Sequence, residues 1–227
     1  MTIIHDQQRG LVAIPTDPAS NLQGIPAHTL PAYTQIACGF SRSTTLPDMD
    51  FETYSEAGYV WREDKKKWGS ITGGSKSGIF AVGAPAYSEH PSTEVLSLAY
   101  DLKDGKGSRL WLPVMPPPQD LFDHIAGGGL IEAHNSGFEW LIWTNVCWRR
   151  MGWPPLPLGQ LRCSASKARA FGLAGALATA GQELRLDIQK DGDGIRLLRK
   201  FSLPRSPTKN DDRLRICLLY TSPSPRD

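Results

Sequence analysis

Cysteine is scarce and scattered in this 227-residue sequence: Cys38, Cys147, Cys163 and Cys217 form no CxxC pair. Neither a zinc cage nor a disulfide scaffold is encoded, and a reducing, cytoplasmic setting is expected. Long apolar runs are missing too. The apolar stretches last only a few residues, far below the roughly 18 that a membrane span requires. The opening MTIIHDQQRG lacks the basic-then-apolar layout of a signal peptide, so neither a membrane nor a secreted protein is expected. No Gly-Lys-Ser/Thr triplet closes the glycine-rich REDKKKWGSITGGSKSG, which removes a nucleotide phosphate loop and leaves a flexible surface insertion as the expectation. The DGDG at Asp191–Gly194 continues with Ile195 where a calcium loop needs an oxygen ligand, so a turn is expected there.

A large net charge is also absent, at +2 overall, but the two halves differ. Residues 1–148 sum to −6 and residues 149–215 to +8. An acidic part able to hold cations joined to a basic part able to meet phosphates is the electrostatic layout of an enzyme acting on nucleic acid. With 40% apolar residues the chain is otherwise an ordinary globular composition, sufficient to bury one substantial core.

Residues 1–45 scatter Pro, Gly, Ser and Thr without a period and are expected to form a loosely structured extension. From Leu46 the pattern tightens. LPDMDFETYS, EVLSLAYDL and SRLWLPV read as strands, the last two joined by the turn KDGKG. MPPPQDLFDHIAGGG then reads as a helix with Leu121, Phe122 and Ile125 on one face, LIEAHN as a fourth strand and FEWLIWTNVCWRRMG as a second helix. The order β-β-β-α-β-α predicts an α/β domain: a three-strand meander plus a strand parallel to the first, flanked by helices. Beyond PPLP, SASKARAFGL, AGALATAGQEL and GIRLLRKFSLPR read as short basic helices.

Chemistry concentrates at two places. Asp50 and Glu52 stand two residues apart at the end of the first strand, and period-2 geometry puts both carboxylates on one face. In HNSGFEW a strand ends and a helix begins, so His134, Asn135 and Glu139 lie near the strand edge where sites of open α/β sheets collect. Three converging carboxylates make a hard-oxygen site suited to Mg²⁺ or Mn²⁺. Each has a plainer reading as well: an exposed acidic strand face for Asp50 and Glu52, and a favourable helix-dipole contact for Glu139.

Four blocks in order, MDFETYSEAG, YSEHPSTEVLSLAYDLKDG, LIEAHNSGFEW and the stretch from LRCSASKARAFGL through QKDGDGIRLLRKFSLPR, resemble the 3′–5′ proofreading exonuclease domain of phage-type family A DNA polymerases. The resemblance covers residues 46–216. It implies the ribonuclease H-like DEDD exonuclease fold, two bound Mg²⁺ (or Mn²⁺) ions, and a single-stranded DNA 3′ end as substrate in a bacterial cell, with a polymerase domain expected in the complete protein. Asp50 and Glu52 match the first motif, whose acids bind the metals. Asn135 and Glu139 match the second, in which the family usually places Asp rather than Glu. The catalytic and metal-binding set implied is therefore Asp50, Glu52 and Glu139. The flanking Phe51, Thr53, His134, Asn135 and Phe138 are implied to contact the substrate. Lys167, Arg169, Arg196, Arg199 and Lys200 are expected to meet its phosphates.

The family's third motif, Tyr or His followed by Asp four or five residues later, is absent. Asp211 and Asp212 have no such partner before them, and Asp227 lies seven residues after Tyr220. CLLYTSPSPRD resembles a translated sequencing adaptor, so residues 217–227 are expected to be non-native and the domain C-terminally incomplete. Two other readings stay open: a catalytically silent single-stranded DNA-binding module, and an RNA 3′ exonuclease like ribonuclease D.

Overall fold

A computed structural model describes residues 46–185 and 199–209, together with the backbone of 2–6 and 10–14. Within the first 45 residues two strands, β1 (Thr2–Asp6) and β2 (Gly10–Ile14), pair antiparallel. The expected DGDG turn, Arg196 and the 217–227 tail lie outside the described residues.

The central element is β3 (Asp48–Tyr54). Its sequence alternates, burying Met49, Phe51 and Thr53 and turning Asp48, Asp50 and Glu52 to the other face. β6 (Glu94–Asp101) pairs with it antiparallel, β7 (Arg109–Trp111) pairs antiparallel with β6, and β8 (Ile131–Ala133) lies parallel to β3. β9 (Leu161–Cys163) adds a further parallel strand, giving a five-stranded mixed sheet in the order β7-β6-β3-β8-β9. The expected meander and parallel crossover strand are both present; β9 was too short to read from the sequence. Between Glu52 and Thr53 the register slips by one residue, a bulge that ends the strict alternation beside the acidic pair.

The helix Gln119–Ala126, α2, and the helix after β8 cover the apolar face. That helix, α3 (Ser136–Ile142), continues through a π-helical stretch, Trp143–Trp148, into a last turn, Arg149–Met151. α2 (Gln119–Ala126) buries Leu121 and Ile125 as the 3.6-residue period requires. The core is strongly aromatic. Trp143 is fully buried and meets Phe51, Phe122 and Trp153 edge-on at ring separations of 6.3, 6.2 and 5.1 Å. The indole N–H groups of Trp111, Trp140 and Trp143 donate to the carbonyls of Pro116, Leu156 and Pro154. The proline-rich loops thus supply the acceptors that buried indoles need.

The stretch between β3 and β6 departs from expectation. Instead of a flexible insertion it folds as a hairpin, β4 (Tyr59–Arg62) and β5 (Lys67–Ser70), followed by α1 (Ile79–Glu89). Trp61 and Trp68 stand directly opposite one another with ring centroids 5.7 Å apart, a cross-strand pair that stabilises the hairpin. Gly58 and Gly78 join the start of the hairpin to the start of α1: a Cβ on Gly58 would lie 2.4 Å from the Gly78 carbonyl oxygen. α1 kinks at Gly83, and Pro85 follows, which is why its pattern did not read as a helix. The guanidinium of Arg150 donates to the carbonyls of Glu89, His90, Pro91 and Thr93, pinning the end of α1 to the last turn after α3.

α4 (Ser164–Ala170) and α5 (Leu177–Glu183) follow β9, where two of the expected basic helices begin. Of the third, only 199–209 is described; Ser206 Oγ accepts a 3.1 Å bond from the Trp68 N–H, so this segment lies against the hairpin.

Candidate active site

β3, β8 and β9 run parallel, so their C-terminal ends share one edge of the sheet, from which the hairpin, α3 and α4 depart. That edge is where parallel α/β sheets collect their sites. β8 meets β3 at Glu132 and Asp48 and stops at Ala133 while β3 runs on to Tyr54, so a gap opens beside the end of β3. Into this gap the first turn of α3 delivers Glu139.

Glu139 is 3% exposed. Its carboxyl receives the Phe51 backbone N–H and bonds to the Asp50 carboxyl, while its Oε2 is buried without a hydrogen-bond partner. Burial raises its pKa, and the negative charges of Asp50 and, more weakly, Glu52 add to the rise against the lowering effect of the Phe51 N–H; the result is about 9. At neutral pH Glu139 therefore keeps its proton against the Asp50 carboxyl. The three acids foreseen from sequence are electrostatically coupled neighbours. Among the described residues, however, no three His, Cys, Asp or Glu side chains stand in an arrangement that would hold a metal ion.

The donor set nonetheless suits a divalent ion. All three groups are hard-oxygen ligands. A buried carboxyl oxygen with no partner, kept neutral by burial and by the adjacent Asp50, is what a cation would ionise and satisfy. Asp50 is exposed and Glu52 half-buried, so solvent reaches the two that the neutral Glu139 backs.

The turn carrying these groups is shaped by Asn135. It precedes α3 with φ 68°, a left-handed conformation that Asn tolerates better than most residues, and its carbonyl accepts from Phe138 N–H at 2.9 Å. His134 accepts the Ser164 hydroxyl on Nδ1 at 3.0 Å and donates from Nε2 to the Gly175 carbonyl at 2.9 Å, clasping the end of β8 to α4 and the loop before α5. Phe51 is in the core against Trp143, and Thr53 is buried with its Oγ1 3.0 Å from the Tyr87 hydroxyl. Phe138 is half-buried against Tyr87. Phe51 and Thr53 hold β3 in place and offer no surface to a ligand; Tyr54 is likewise core.

The basic residues divide. Lys167 is engaged internally, its Nζ 2.5 Å from Oε1 of Glu132, a carboxylate on the same sheet face as Asp50 and only 8% exposed. Arg169, Arg199 and Lys200 are exposed. Sequence reasoning did not single out Cys163. It ends β9 at the N-terminus of α4, where burial raises its thiol pKa but hydrogen bonds from Ser166 and Ser136 outweigh that and bring it to about 7.

No family model matches the chain. A 140-residue stretch, 60% of the chain, is 32% identical to the DNA polymerase of Bacillus phage SP02. That stretch is related to a phage DNA polymerase, and the chain spans about one fifth of that protein's length. No described helix is long and apolar enough to cross a membrane.

Proposed function

We propose that this chain carries the 3′–5′ exonuclease domain of a phage-type family A DNA polymerase, acting on the 3′ end of single-stranded DNA. The observation that carries the proposal is the delivery of Glu139 from α3 against Asp50 at the parallel edge of the sheet. The strand order, with the first three strands antiparallel and two further strands parallel to the first, supports a ribonuclease H-like fold.

In this reading Asp50, Glu52 and Glu139 would hold two Mg²⁺ or Mn²⁺ ions, which when bound would supply an activated water and charge stabilisation for phosphodiester hydrolysis. Asp50 and Glu52 present their carboxylates to solvent from one strand face. Glu139 would serve as an ionised ligand, and the Phe51 N–H that its carboxyl already accepts would hold it in place. The turn at Asn135 and the His134 clasp fix the angle at which α3 leaves β8.

A second reading, a catalytically silent single-stranded DNA-binding module, is favoured by the lack of a ready three-ligand set among the described residues. Incubating the chain with a 5′-labelled single strand and Mg²⁺ or Mn²⁺ separates the two. The exonuclease reading expects a ladder shortened from the 3′ end that Asp50→Ala abolishes while binding persists. Binding without shortening under either metal would leave only the binding module.

A further inference from the structure

Five of the ten Lys and Arg residues in 1–148 fall within 62–76: Arg62, Lys65, Lys66, Lys67 and Lys76. They crowd onto one hairpin and the loop after it, in the half of the chain that is otherwise acidic. Two of them have internal duties. Arg62 donates to the Ser70 carbonyl across the hairpin, and Lys66 pairs with Glu63 at 2.5 Å. Lys65, Lys67 and Lys76 are exposed and make no ion pair with another described residue.

The hairpin does not stand alone. The Trp68 N–H bond to Ser206 sets it against the segment that carries Arg199, Lys200 and Lys209, all exposed. Two basic stretches distant in sequence thereby meet at this bond. The Gly58–Gly78 contact fixes the start of α1 beside the hairpin base, and there Phe80 is 83% exposed and Ile71 59% exposed. The excursion leaves the sheet at the C-terminal end of β3, a few residues past Asp50 and Glu52.

We infer that the β4–β5 hairpin, the 71–78 loop and Phe80 form an arm that holds single-stranded DNA, with Lys65, Lys67 and Lys76 meeting phosphates and Phe80 stacking on a base. The identity of the strand rests on the function proposed above. The charge fits any polyanion, but an exposed aromatic ring on the same excursion as the cations is useful to an unstacked base and not to a duplex, whose bases are stacked inside. The arm also replaces a lost contributor, since Lys167 is committed to Glu132.

The test is fluorescence anisotropy of the full chain with a labelled oligo-dT, metal-free, across a salt series. Each phosphate contact on a single strand contributes about 0.7 to the slope of log K against log salt, so Lys65→Gln/Lys67→Gln/Lys76→Gln should flatten the slope by about 2. Phe80→Ala should weaken binding roughly tenfold with the slope unchanged. Lys106→Gln, on the β6–β7 turn at the opposite sheet edge, should alter neither. All three changes are at exposed positions, and unchanged thermal melting verifies the fold. A triple variant with the wild-type slope overturns the arm, as does a loss confined to duplex binding or to an acidic peptide. Binding through the arm with no 3′ shortening under Mg²⁺ or Mn²⁺ would sink the exonuclease reading and leave the arm standing.

Discussion

Replacing Glu139 by Gln is expected to stabilise the chain at neutral pH, a sharp departure from the usual effect of changing a buried residue. In the unfolded chain a Glu side chain titrates near 4.5, and in the fold this one titrates near 9. Folding therefore takes up a proton anywhere between those values. The stabilising contribution of the neutral carboxyl is complete below about 4.5 and is lost steadily as pH rises toward 9. At pH 7 the chain has climbed two and a half units above 4.5, and at about 1.4 kcal/mol per unit the protonation costs about 3 to 4 kcal/mol. Gln reproduces the neutral form: its carbonyl accepts the Phe51 N–H and its amide donates to Asp50, with no proton to acquire. The assay is urea unfolding of both proteins in chelator from pH 4 to 9. The two should be nearly equal at pH 4 and diverge above pH 5, the variant becoming more stable by about 3 to 4 kcal/mol at pH 7. Parallel stability curves, or a variant less stable at pH 8, would refute the placement of a neutral Glu139 against Asp50.

Adding Mn²⁺ should raise the melting temperature of the wild type, and that of Glu139→Gln by less, as ligand linkage requires; equal shifts would remove Glu139 from the proposed metal site. Lys167→Met strands the Glu132 carboxylate and should cost about 2 to 3 kcal/mol in denaturant unfolding, while single-strand affinity stays near wild type. Trp143→Ala, at the centre of the aromatic cluster, should cost about 3 to 5 kcal/mol, a loss that calorimetry detects and that a peripheral Trp would not show. Iodoacetamide at pH 7.5 should label Cys163 well before Cys147, whose thiol is pushed up by burial, and Ser166→Ala should slow that labelling; equal rates by mass spectrometry would contradict the hydrogen-bonded thiol.

Much of the sheet was legible because one face of it is buried. The alternation in DMDFETY and EVLSLAYD records which residues face the core, and that same alternation put Asp50 and Glu52 side by side. The hairpin escaped notice because its signal is a single tryptophan pair across a lysine-rich tip, and charge outweighs two aromatics in any local reading. α1 escaped because Gly83 and Pro85 interrupt its period. The sequence motif pointed to Glu139, but its burial did not show, because that depends on β8 ending short of β3 and opening a gap for α3 to fill. Lys167 was misleading for a related reason. Its partner Glu132 lies on another element, and only the β8–β9 register brings α4 over it.

The four carbonyls gathered by Arg150 have a consequence for how the molecule breathes. The hairpin and α1 leave β3 and return at β6, and one guanidinium rivets the far end of that excursion to the helix behind it. The middle of the excursion is held by the core, through Tyr87 against Phe138 and Thr53 and Ser88 against Asn145, whereas the turn that returns it to β6 is closed by a planar side chain that matches four acceptors at once. Lysine at 150 would keep the charge yet lose that fork, letting the amides around residues 89–93 exchange by local opening while the five-stranded sheet stays protected.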